Sequence, residues 1–300
     1  LAEELAKLRA ERGLMAEVAE AMEELGGVAD EAVTWRLREA AESRNRATRS
    51  ESEDRAEYDT AANGLKLARS ERAAFERLHA TAQRLRSTQD HNGARFVLAD
   101  RGDEVVVQRV VWAGGAEPDL LSLSADPRLV GPALQLLGSA HCEQLLCQAH
   151  FKMPGDGVSF DWHQDIQHRD KGLGTWRDLN GRGSYVQTLL AVDDMRADNG
   201  PLQFVPQDAV RTDARGRLSD ASFNYGTPMG AGGSDIVDAS RAETIIGEAG
   251  AVILFGPYAV HGSTANHSLA PRRVLINGYA HPGANGRVYP GVGSGRRLGA

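Results

Sequence analysis

The stretch SFDWHQDIQHRDKG, residues 159–172, contains the pattern H-x-D twice, as His163-Gln164-Asp165 and as His168-Arg169-Asp170. A histidine and a carboxylate two residues apart on a β-strand project to the same side, and such a pair can hold a divalent metal. The first pair closes the alternating run Val158-Ser159-Phe160-Asp161-Trp162, whereas the second lies in the charged segment QHRDKGLG. A ligand needs a rigid support, so His163 and Asp165 are the candidate ligands and His168 is assigned to a loop or pocket wall. HRD also opens the kinase catalytic loop, but that motif needs Asn five residues after the Asp, and position 175 is Thr.

A metal requires a third ligand. His261, in YAVHGSTANHS, directly follows the apolar run AVILFG and is the best remaining histidine. Two histidines and one carboxylate leave coordination positions open, the arrangement associated with non-haem Fe(II) oxygenases. Eleven residues beyond His261 stands Arg272, and Ser263 lies two after it. A guanidinium fork and a hydroxyl suit a distal carboxylate such as that of 2-oxoglutarate.

These residues must be carried by strands. After Arg95 the pattern is β, with ARFVLAD and EVVVQRVVWA flanking RGD as a hairpin. One helix follows, with Asp126 as N-cap, Pro127 as first residue and Gly138 as stop. Short apolar runs then alternate with Gly-, Pro- and Asn-rich turns: EQLLCQAHF, VSFDWHQ, SYVQTLLAV, LQFVP, AVILFG and RRVLINGYA. Such spacing predicts a sandwich or barrel, not βαβ units. Asn199-Gly200 reads as a tight turn stiffened by Pro201, a purely structural mark. GAGGSD at 230–235 reads as a flexible loop without a nucleotide role.

The first 87 residues differ in kind. They are rich in Ala, Glu, Arg and Leu, contain no proline, and show helical spacing broken at Gly26-Gly27 and Asn63-Gly64. A supporting extension or a homodimer contact through these helices is expected there; a substrate lid is the other reading. The division drawn is a helical extension over 1–90 and a catalytic domain over 91–300.

Composition excludes several partners. With 34 Lys and Arg against 41 Asp and Glu, the net charge is −7, and basic residues are interleaved with acids, so no nucleic-acid partner is expected. No apolar run of about 18 residues occurs, so no membrane span is expected. The N-terminus lacks a secretion-signal pattern, and a cytoplasmic location follows as the expectation. Cys142 and Cys147, five apart, read as buried thiols.

The blocks WHQD, LLAVDDMRADNGPLQFVPQ and HGSTANHSLAPRRVLINGYA, in this order, resemble the phytanoyl-CoA dioxygenase-like Fe(II)/2-oxoglutarate oxygenases, a family that includes the ectoine hydroxylases. The resemblance covers roughly residues 121–280. It implies a mainly β protein with a double-stranded β-helix core of the jelly-roll, cupin-like kind. It implies that His163, Asp165 and His261 bind Fe(II) as the catalytic centre. Arg272 and Ser263 would hold the far carboxylate of 2-oxoglutarate, with Gln148 facing cofactor or substrate. The cofactors would be Fe(II), 2-oxoglutarate and O2, and the products succinate, CO2 and an oxidised C–H bond. Related halogenases have a small residue in place of the carboxylate, so Asp165 favours hydroxylation.

The family spacing selects Arg272 over its neighbour Arg273, and strand alternation then places Val274 and Ile276 on the inward face with Arg272. Specificity is expected in the segment after the H-x-D motif, from Gln167, Arg169, Trp176, Arg182, Tyr185 and Gln187, which suit a polar or anionic small molecule with a ring or apolar part. Two other classes stay open: a metal-dependent cupin-like enzyme that does not use 2-oxoglutarate, and a catalytically silent binding protein.

Overall fold

A computed structural model describes residues 70–170, 174–213, 216–218 and 236–299. The expectations for residues 1–69, including the glycine breaks and the dimer contact, and for the 230–235 loop lie outside the described residues. Residues 70–300 form one compact unit.

The alternating runs become strands, and the strands form two sheets. We number them β1 (Gln89–His91), β2 (Ala94–Arg101), β3 (Glu104–Val111), β4 (His141–Lys152), β5 (Phe160–His163), β6 (Tyr185–Ala191), β7 (Leu202–Val205), β8 (Glu243–Thr244), β9 (Val252–Phe255), β10 (Val260–Ser263), β11 (Arg272–Ala280) and β12 (Arg296–Gly299). The larger sheet runs β1-β2-β3-β4-β11-β6-β9, with β12 also paired to β4; the smaller runs β5-β10-β7-β8. Every pairing is antiparallel. This is the double-stranded β-helix. Four short strands, β1, β8, β10 and β12, are not visible as hydrophobic runs, because two to four residues carry too little periodicity to register.

The large sheet has an inner and an outer face. Inside, Leu189, Ala191, Val274 and Ile276 meet Leu202 and Phe255 in one cluster. Outside, helices cover the sheet. Helix α1 (70–85) lays Phe75 on Phe151 with ring centroids 5.1 Å apart. Helix α2 (Pro118–Leu123) and helix α3 (Pro127–Leu137) follow β3, and α3 packs Val130, Ala133 and Leu137 against Cys142, Val186 and Tyr279. The α3 boundaries are those read from the sequence: the Asp126 side chain accepts from the Arg128 amide, and Gly138 closes the helix at φ 66°. Both cysteines are buried free thiols. None of the helices among the described residues is long and apolar enough to cross a membrane.

Candidate metal centre and cofactor cavity

Strand β5 ends at His163, and helix α4 (Asp165–Asp170) begins two residues later. The H-x-D motif is therefore a strand-to-helix corner and not two residues of one strand. The corner still places both ligands together, because β10 runs beside β5 with His261 directly opposite His163. The two imidazole centroids are 4.2 Å apart, and ligand atoms of His163, Asp165 and His261 all lie within 4.8 Å of one another.

The surroundings prepare these atoms for a cation. The Nδ1 of His163 donates to the Asp161 carbonyl at 2.7 Å, and the Nδ1 of His261 donates to the Ala259 carbonyl at 3.0 Å. A carbonyl only accepts, so each ring carries its proton on Nδ1 and offers Nε2 to a metal. Burial, reinforced by the positive character of His163, lowers the His261 pKa from 6.5 to about 4, which keeps it in the neutral, ligating form. Asp165 is buried, and its Oδ2 has no hydrogen-bond partner. A buried carboxylate oxygen facing two imidazole Nε2 atoms fits a divalent metal and little else. The other histidine, His168, lies on α4 with its ring 5.8 Å from that of His163.

A cavity opens beside the triad, lined among others by His150, Phe160, Gln187, Phe255, Ser263 and Arg272. At one end lies a buried cationic pair. Arg272 is inward on β11 with Val274 and Ile276 and donates from Nε to the Gly200 carbonyl at 3.0 Å. Directly opposite it on β4 is Lys152, whose Nζ donates to Ser263 Oγ at 2.7 Å and to the Gly200 carbonyl at 3.3 Å. Desolvation pulls both cations down, Arg272 to about 10, and each charge disfavours its neighbour on the lysine side. Among the described residues neither side chain forms an ion pair. Two desolvated cations and a hydroxyl supply what one carboxylate needs.

Arg273 points the other way. It pairs with Asp193 at 2.7 Å and also with Glu76 of α1, on the outer face. Gly200, at φ 74°, does more than turn the chain: a Cβ there would lie 2.5 Å from the Thr264 carbonyl, and its own carbonyl receives both cations.

The remaining sequence candidates divide into two groups. Gln187 lines the cavity and its Oε1 accepts from the Tyr185 hydroxyl at 2.9 Å. The Arg169 guanidinium lies over the Tyr185 ring at 5.1 Å, and Trp176 meets that ring edge-on. Gln148 is buried on β4, where its Oε1 accepts from His150 Nε2 at 3.2 Å. Two are less directly placed. Gln167 is half-buried on α4, receiving the Gln164 amide at 3.3 Å, and Arg182 is exposed on the turn before β6.

Sequence reading missed Lys152, His150 and Gln164. The first two share a face of β4 with Gln148, a Q-x-H-x-K alternation that was legible as a polar inner row. Gln164, between the two ligands, is fully buried; its Nε2 donates to the carbonyls of Tyr258 and Gly216, and its Oε1 accepts from the Leu218 amide. It staples the metal corner to two loops, and no local signal announces that.

A double-stranded β-helix with two imidazoles and one carboxylate converging at a cavity defines the class of mononuclear non-haem metal enzyme scaffolds. Residues 25–274 match the phytanoyl-CoA dioxygenase (PhyH) family model, and the chain belongs to that family. It is 28% identical over 212 residues to an ectoine dioxygenase of Halomonas elongata, covering 66% of this chain and 60% of the relative. It is 29% identical over 180 residues to an L-proline trans-4-hydroxylase of Streptomyces griseoviridis, covering 52% and 63%. The chain thus spans about 60% of the length of these curated relatives. Among solved structures, AviO1 from Streptomyces viridochromogenes Tue57 shares the fold, with TM-score 0.53 and 20% identity over 73% of this chain and 86% of that one.

Proposed function

We propose that this chain is an Fe(II)/2-oxoglutarate-dependent dioxygenase that hydroxylates an unactivated C–H bond of a small-molecule metabolite or natural-product intermediate, with release of succinate and CO2. The observation that carries the reading is the pairing of two features at one cavity: an unbonded buried carboxylate oxygen between two Nε2-presenting histidines, and a buried Arg272–Lys152 cation pair beside them. The names of the two relatives, a dioxygenase and a hydroxylase of small metabolites, agree with it.

Each residue then has a task. His163, Asp165 and His261 hold Fe(II); Arg272, Lys152 and Ser263 hold the far carboxylate of 2-oxoglutarate. When bound, the metal and its keto acid supply the activation of O2, and the protein supplies orientation and exclusion of water. Phe160, Phe255 and Leu202 give the cavity its apolar walls. The cation pair disfavours a cupin-like enzyme without 2-oxoglutarate, since such an enzyme has no use for it. The complete triad disfavours a silent binding protein.

The test is an anaerobic titration with Fe(II) and 2-oxoglutarate, reading the visible charge-transfer band that needs both. Its appearance supports the oxygenase; folded protein that shows none with both additives present refutes it. A metabolite panel reading succinate release then identifies the substrate.

A further inference from the structure

At the end of the cavity away from Arg272, one side chain is held in a fixed orientation by a neighbour that the backbone has been cleared to admit. Gln187 is buried and lines the cavity. Its Oε1 accepts the Tyr185 hydroxyl at 2.9 Å. A hydroxyl hydrogen must go to an oxygen and not to an amide NH2, so this bond settles which way the Gln187 amide faces. The Nε2 hydrogens are not taken by any acceptor among the described residues.

The bond exists because of Gly278. That residue faces Gln187 across the β11–β6 ladder, and a Cβ there would lie 2.0 Å from the Tyr185 hydroxyl oxygen. Any other residue would push the phenol off Gln187. The Tyr185 ring is in turn covered by the Arg169 guanidinium at 5.1 Å, and Arg169 reaches the Tyr289 hydroxyl at 3.4 Å. Positive charge therefore lies behind the same wall.

We infer that Gln187 is a specificity-determining residue that presents an obligate N–H donor to a carboxylate group of the substrate, with Tyr185 as the positioning residue that fixes the amide. The inference rests on the oxygenase reading and names its substrate class: a small carboxylic acid whose apolar or ring portion lies along Ile276, Leu189 and Phe255, with the target C–H turned to the triad. A neutral primary amide in place of that carboxylate keeps an acceptor but loses the favourable charge.

The experiment uses the full chain, anaerobic, with Fe(II) and saturating 2-oxoglutarate so that Arg272 is already engaged. The probes are five- and six-membered ring carboxylic acids and their primary amides, with binding read by calorimetry and turnover by succinate release. Wild type should prefer acids over the matching amides by at least about tenfold. Gln187→Glu keeps an acceptor for Tyr185 but replaces the donor with negative charge, and should invert the preference in favour of amides. Tyr185→Phe frees the amide to turn over and should shrink the acid preference to within about threefold. 2-Oxoglutarate affinity should stay within about twofold in both variants. A merely structural role for the pair would lower all affinities together and invert nothing. Wild type that takes up both cofactors without acid preference, or a Gln187→Glu variant that keeps it, overturns the inference alone. Protein that takes up neither cofactor, yet prefers acids and inverts on Gln187→Glu, overturns the oxygenase reading alone.

Discussion

Arg272 and Arg273 are adjacent in sequence, are both buried, and are predicted to fail in opposite ways. Arg272 faces the cavity, where its protein contact is the neutral Gly200 carbonyl. Arg272→Gln removes a charge-assisted contact to a ligand carboxylate, typically about 1.5–3 kcal/mol, so 2-oxoglutarate should bind roughly tenfold to a hundredfold more weakly. The ligand-free protein should lose less than about 1 kcal/mol, since burial already disfavours this cation. Arg273 lies on the outer face in an ion pair whose side chains are 7% and 14% exposed. Arg273→Gln strands the Asp193 carboxylate, at a cost of about 3 kcal/mol. At roughly 2–4 °C per kcal/mol for a chain of this size, the melting temperature should fall about 6–12 °C. Its effect on 2-oxoglutarate affinity should stay under about threefold. Anaerobic 2-oxoglutarate titration of the Fe(II)-loaded protein and scanning calorimetry of the apo protein read the two effects separately. If Arg273→Gln loses the cofactor while keeping its melting temperature, and Arg272→Gln does the reverse, the strand register is one residue out and every inward assignment on β11 must be reversed.

Four further outcomes are expected. His163→Ala should abolish Fe(II) binding, whereas His168→Ala should leave it within about threefold, as metal titration will show; equal losses would erase the distinction between the two H-x-D pairs. Removal of residues 1–69 should leave cofactor titrations unchanged, whereas removal of 1–87 should destabilise the sheet by several kcal/mol, because it strips Phe75 and Leu78 from the outer face; light scattering of both truncations also tests the expected homodimer. The metal-free protein should lose stability on acidification. The folded-state pKa of His261 is depressed from 6.5 to about 4, so the unfolded chain binds the extra proton first and stability, intact above about pH 6.5, falls by up to about 3 kcal/mol as pH drops to 4. Denaturant titrations at successive pH values test the sign. Finally, Gly278→Ala should weaken substrate binding and lower the melting temperature through collision with Tyr185, and combining it with Tyr185→Phe should restore part of that stability.

The sequence alone determined much of this protein, and the reason is local periodicity. Alternation along VSFDWHQ and RRVLINGYA states which residues share a face, so His163 could be preferred over His168 and Arg272 grouped with Val274 and Ile276. Short-range stereochemistry likewise made Asp126, Pro127 and Gly138 legible as the ends of α3. What alternation cannot state is which strands become neighbours. Lys152 is an ordinary strand-end lysine until β4 pairs with β11 and sets it against Arg272, 120 residues further on. Gln164 is a spacer between two ligands until the fold brings Tyr258, Gly216 and Leu218 around it. Gly278 reads as a weak point in a strand until the Tyr185 hydroxyl occupies the space a Cβ would take. Periodicity fixes the direction of a side chain; only the antiparallel pairing of distant strands supplies the charge, carbonyl or void it meets there.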